Sequence, residues 1–85
     1  MPELTTSVDI SLYPLHAEYK APILRFIRAL QAVEGVTVLT NPLSTQVYGR
    51  FEEVWAVLGR LLPEVFGERF TSVVVLKVVS VDVTA

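Results

Sequence analysis

The hydrophobic period of this chain switches between two and about 3.6 residues in a fixed order, and that order restricts the fold more than any other feature. From Ser7 to Leu15 apolar and polar residues alternate. Val8, Ile10 and Leu12 fall on one side and Ser7, Asp9, Ser11 and Tyr13 on the other, which is a half-buried strand closed by Pro14. Between Tyr19 and Val33 the apolar positions Ile23, Phe26, Ile27, Leu30 and Val33 recur at threes and fours, a helical stripe with Pro22 in its first turn. Glu34-Gly35 is expected to end that helix, glycine being the residue that most easily adopts the left-handed conformation past a C-terminus.

Two short β-branched runs follow, Val36–Thr40 and Ser44–Tyr48, separated by Asn41-Pro42-Leu43, whose turn chemistry reverses the chain into a hairpin. A second helical stripe comprises Phe51, Val54, Trp55, Leu58, Leu61 and Leu62, with Glu52 and Glu53 placed to complement its N-terminal dipole. Pro63 is expected to end or kink it near Leu62. The run Thr71–Val83, dominated by valine, reads as the last strand.

The resulting βαββαβ order, with right-handed crossovers, gives an α+β, ferredoxin-like sandwich: a four-stranded antiparallel sheet with both helices on one face. The halves Ser7–Thr40 and Ser44–Val83 share this architecture without repeating sequence, so residues 1–85 read as one domain. The helical stripes Ile23/Phe26/Ile27/Leu30 and Val54/Trp55/Leu58/Leu61 are expected to pack on the same side. In the last strand Val73, Val75, Val79 and Val81 alternate with Val74, Leu76 and Val78, leaving both faces apolar around Lys77. The domain's own helices cover only one of them. The other implies a homo-oligomer, dimer or tetramer, unless the valines are tolerated in water.

Composition narrows the function. A net charge of −2 and an isoelectric point near 5.2 supply no basic field for a phosphate backbone, so nucleic acid is not an expected partner. Without cysteine there is no thiolate nucleophile, disulfide or thiolate metal site. Met1–Ser7 lacks the character of a secretory leader, and no apolar run is long enough for membrane insertion, so the expected location is cytoplasmic.

Catalysis finds little support. His16 is the only histidine, no Gly-x-Ser-x-Gly elbow accompanies a serine, and His16 reads as a solvated loop residue. Its surroundings offer no ligand spacing for a metal, and the four glycines form no phosphate-cradling cluster, so no metal or cofactor is expected. Phe51 and Trp55 read as core, Glu52-Glu53 as a solvated first turn.

Polar residues inside strands are more informative, because a carboxylate in a sheet is costly unless paired. Asp9 shares its face with Ser11 and Tyr13, and Ser44, Gln46 and Tyr48 share one on the third strand. These two strands are central neighbours in the expected sheet. The face is either a ligand site or an ordinary polar surface in which Asp9 pairs with Lys77. The turn from Thr40 through Asn41 to Thr45 is either a structural reversal or a set of amide and hydroxyl groups offered to a ligand.

Ile10-Ser11-Leu12-Tyr13-Pro14-Leu15 and Asn41-Pro42-Leu43-Ser44-Thr45-Gln46-Val47-Tyr48-Gly49, in this order and spacing, resemble the YkoF-like family of thiamine- and hydroxymethylpyrimidine-binding proteins. The similarity extends from about Val8 to Val83 and includes Phe51-Glu52-Glu53-Val54. It implies non-catalytic binding of thiamine or its pyrimidine precursor, for salvage or delivery to a transporter. Some members carry two such domains in one chain, so a single copy would rely on an oligomer. An aminopyrimidine would stack on Tyr13 or Tyr48, its polar edge would meet Ser11, Asn41, Ser44, Thr45 or Gln46, and Asp9 would answer a thiazolium charge. The alternatives are a structural or regulatory oligomerisation domain without such a ligand, and an enzyme.

Overall fold

A computed structural model describes residues 3–85; Met1 and Pro2, part of the segment read above for a leader, lie outside the described residues. The elements are β1 (Thr5–Pro14), α1 (Lys20–Gln31), β2 (Val36–Thr40), β3 (Thr45–Arg50), α2 (Phe51–Phe66) and β4 (Ser72–Val79). The strands lie in the order β2-β3-β1-β4, every neighbouring pair antiparallel. This is the expected ferredoxin-like arrangement.

Alternation in β1 sets the layers. Val8 and Ile10 turn inward and join Val47 of β3, while Phe26 and Leu30 of α1 and Val54, Leu58, Leu61 and Val65 of α2 close over them. The stripes expected from sequence therefore meet on one face of the sheet, except that Ile23 and Ile27 are only half-buried. Trp55 packs beside the core, as expected, whereas Phe51 is 38% exposed next to it.

Several boundaries differ from the sequence reading. Helix α1 stops at Gln31, and Ala32 caps it in a right-handed conformation. Gly35, with φ of +91°, instead turns the chain into β2, where an L side chain would be strained. Pro63 does not end α2, which continues to Phe66. Pro63 and Gly59, whose carbonyl loses its donor, are both exposed to water, and the burial of Val65 in the following turn offsets the local cost of about 3 kcal/mol. At the hairpin, β3 begins at Thr45 and runs to Arg50, beyond Tyr48, because its pairing with β1 continues to Thr5.

The largest difference lies at the C-terminus. Strand β4 ends at Val79, not Val83. The chain bends and is tied back across β1: Ser7 Oγ donates to the Val81 carbonyl at 2.7 Å and accepts the Val83 N–H at 2.9 Å. Thr5 Oγ1 accepts the Asp82 N–H at 3.0 Å. Two hydroxyls on β1 thus capture a segment whose valines alone would extend the strand.

Leu30 and Leu58 are each 0% exposed, so Leu30→Ala or Leu58→Ala should cost about 2–5 kcal/mol of stability in urea unfolding followed by circular dichroism. Leu24→Ala, at a position 49% exposed on the same helix as Leu30, should change it by less than about 0.5 kcal/mol. Equal effects at all three positions would mean that the buried faces are wrongly assigned.

Candidate functional site

Strand β1 is ten residues long and β3 only six. Their last paired residues are Ile10 and Thr45, so Ser11–Pro14 pair with β4 on one side and have no strand on the other. There the sheet opens into a cleft of about 140 Å³, bounded by α1 and the β2–β3 turn. Ser11, Tyr13, Asn41, Ser44 and Thr45 supply its polar and aromatic lining, and Leu12, Ile23, Phe26 and Ile27 its apolar wall.

The turn is held from within. Asn41 Oδ1 accepts the N–H groups of Leu43 at 2.8 Å and Ser44 at 3.0 Å, and the Asn41 N–H donates to the Ser44 carbonyl at 3.1 Å. This is the side-chain-to-backbone turn that asparagine favours, with Pro42 fixing φ at a position where no donor is required. The carbonyl oxygen of Asn41 is thereby committed to the turn, and its amide NH₂ is the group left to donate.

Behind Ser44, on the sheet face turned away from the helices, lies a triangle of hydrogen bonds. Ser44 Oγ donates to Asp9 Oδ1 at 2.6 Å; Gln46 Nε2 donates to Asp9 Oδ1 at 2.9 Å and to Ser44 Oγ at 2.7 Å. The Ser44 and Gln46 hydrogen bonds, helped by weaker attraction from Lys77, hold the Asp9 carboxyl below its usual pKa against the opposing effect of desolvation. Lys77 stands opposite Asp9 in register, yet among the described residues they form no ion pair. The local partners of Asp9 are a hydroxyl and an amide.

The structure divides the eight sequence-derived candidates. Ser11, Tyr13, Asn41, Ser44 and Thr45 line the cleft, while Asp9 and Gln46 stand behind Ser44 and reach the cleft only through it. Tyr48 is opposite Ser7 and Thr37, towards the other end of β3 and outside the cleft. Thr45, 6% exposed, belongs to the inner face, because the period of two places it out of phase with Ser44 and Gln46. The residues that sequence reasoning missed are Ile23 and Ile27, whose helical spacing indicated core and not that β3 would start too late to cover them.

His16 lies elsewhere. Its Nδ1 accepts the Glu18 N–H at 3.0 Å and its ring stacks on Phe70 at 4.8 Å, so both its nitrogen and its face serve the loop. Among the described residues no three His, Cys, Asp or Glu side chains converge to hold a metal, and no helix is long and apolar enough to cross a membrane.

No family model matches the chain, and no curated protein is significantly similar to it. Solved structures are. A Streptococcus pneumoniae protein shares 26% identity at a TM-score of 0.80, over 88% of this chain and 84% of that one. A hypothetical protein of Methanocaldococcus jannaschii shares 19% identity at a TM-score of 0.75, covering 88% and 78%. A Thermotoga maritima protein provisionally assigned to thiamine biosynthesis or salvage shares 23% identity at a TM-score of 0.68, covering 86% and 82%. Their common fold is the one described above.

Proposed function

We propose that this chain binds thiamine or its hydroxymethylpyrimidine precursor without chemical turnover, as a YkoF-like binding domain, and that the cleft between α1 and the β2–β3 turn receives the pyrimidine. The observation that carries this reading is the cleft's composition: the Tyr13 ring, four polar residues and an apolar wall that includes Phe26, at the open end of a sheet. Small-molecule sites combine a mainly apolar surface with a few placed polar groups in this way. The resemblance of the two sequence motifs to thiamine-binding proteins, and the salvage assignment of one structural relative, support the same ligand class.

Size favours the pyrimidine as the recognised part. About 140 Å³ is well below the roughly 300–1,000 Å³ of sites that enclose drug-sized ligands, so it suits one ring and leaves the thiazolium of thiamine outside. In this reading the Asn41 amide and the Ser11 and Thr45 hydroxyls meet the ring's polar edge, and Tyr13 stacks on it. Asp9 and Gln46 act through Ser44 by fixing its hydroxyl. Tyr48 is too far along β3 to take part.

A thermal-shift titration tests the ligand. Hydroxymethylpyrimidine or thiamine at 100 times its Kd should stabilise the protein by about 2.7 kcal/mol, on the order of 10 °C for a domain of this size. No shift with either compound would overturn the reading.

Calorimetry on Asp9→Asn separates the two roles open to Asp9. If it acts through Ser44, thiamine and hydroxymethylpyrimidine should lose affinity equally; a loss confined to thiamine would make Asp9 the partner of the thiazolium charge. Acid unfolding gives an independent check. The folded-state pKa of Asp9 lies below the ordinary carboxylate value, so its contribution to stability is complete above the unfolded value of about 3.9 and is lost as pH falls through the folded value. Asp9→Asn should therefore flatten the wild-type loss of stability below about pH 4 and leave the slope near pH 7 unchanged.

A further inference from the structure

Where β3 stops, the uncovered edge of β1 presents main-chain groups to the cleft. In an antiparallel sheet, successive residues of a strand turn their N–H and C=O alternately towards one neighbour and the other. The phase is fixed at both ends of β1. The Leu15 N–H donates to the Thr71 carbonyl at 2.9 Å, so the odd-numbered residues of β1 face β4. The Phe51 N–H donates to the Leu4 carbonyl at 2.9 Å, so the even-numbered residues face β3. Ile10 thus bonds to Thr45, and the next residue in this phase, Leu12, turns its N–H and C=O towards the cleft that it lines.

Continued by one more bonded pair, β3 would have set Leu43 opposite Leu12. The turn prevents this. The Leu43 N–H donates to Asn41 Oδ1 at 2.8 Å and its side chain points into water, so among the described residues nothing on this side bonds to the Leu12 N–H or C=O. A strand's donors and acceptors normally find partners, and here water or a ligand must supply them. Pro14, the next residue in the same phase, has no N–H, which makes Leu12 the one main-chain donor on the open edge.

We propose, resting on the reading that the cleft receives an aminopyrimidine, that the Leu12 main chain recognises its hydrogen-bonding edge. The Leu12 N–H donates to a ring nitrogen, and the Leu12 C=O accepts from the adjacent exocyclic amine. Lying in line with the sheet, the ring takes the place that Leu43 would have had, between Tyr13 and the wall formed by Ile23 and Ile27. The polar side chains of the lining are left to meet the rest of the ring. Specificity follows from this arrangement. A hydroxyl can turn from donor to acceptor, whereas a main-chain N–H and C=O cannot exchange roles. A 4-oxo ring carries hydrogen on the ring nitrogen and an acceptor oxygen beside it, which sets donor against donor and acceptor against acceptor. The cleft therefore selects an aminopyrimidine over an oxopyrimidine, with no charged residue in its lining.

Hydrogen exchange of individual amides, followed by NMR, tests this role. In the ligand-free protein the Leu12 amide should exchange at the rate of a loop, while its neighbours Ile10 and Ser11, bonded to β3 and β4, are protected. Saturating hydroxymethylpyrimidine should slow exchange at Leu12 by roughly tenfold or more. Val74, opposite Leu12 in register, has its N–H on the outer edge of β4 and serves as the control, which should not change. The 4-oxo analogue of hydroxymethylpyrimidine should bind roughly a hundredfold more weakly in calorimetry, because two groups are left mismatched. A protected Leu12 amide in the free protein overturns the proposal, as does equal affinity for the two compounds, or hydroxymethylpyrimidine binding that leaves Leu12 exchange unchanged. Those results leave the ligand reading standing, whereas the absence of a thermal shift with either hydroxymethylpyrimidine or thiamine removes both.

Discussion

β1 is the strand on which the rest of the molecule depends, because from Ser7 to Ile10 it is paired along both edges, and it is buried on one face only. Its inner residues Val8 and Ile10 join the core, and its outer residues Asp9, Ser11 and Tyr13 begin the polar site. The period of two makes these assignments inseparable: a slip of one residue would put Asp9 among the leucines of α1 and α2 and Ile10 in water. The cost of burying an unpaired carboxylate therefore reinforces the apolar alternation in fixing the register on which both core and cleft rest.

The cleft follows from a mismatch in strand length. Pairing between β1 and β3 ends at Ile10–Thr45 because Asn41 folds the β2–β3 connection back on itself, so the sheet has one strand fewer just where α1 begins to cover it. Ile23 and Ile27 then face a gap instead of a strand. Among the described residues only Gly35 and Gly49 have positive φ, and neither belongs to the cleft. A rigid turn, a strand that runs on and a helix above them produce a concave surface from ordinary geometry.

Element order and inner faces were legible in the sequence because they rest on repeated local signals. The stripe from Phe26 to Leu30 and that from Val54 to Leu61 each reflect several residues that agree, and β1 shows an unbroken alternation. Boundaries set by contacts distant in sequence were not legible. Pro63 carries a strong local signal for ending a helix, and packing of Val65 overrode it. Val81 and Val83 carry a strong signal for strand, yet Ser7, more than seventy residues earlier, draws that segment aside. Of the site residues, those within or beside the turn were found because Asn-Pro and the β1 pattern mark them. Tyr48 reads as a site residue from its period and its place in the resembling motif, and neither reports distance along the strand.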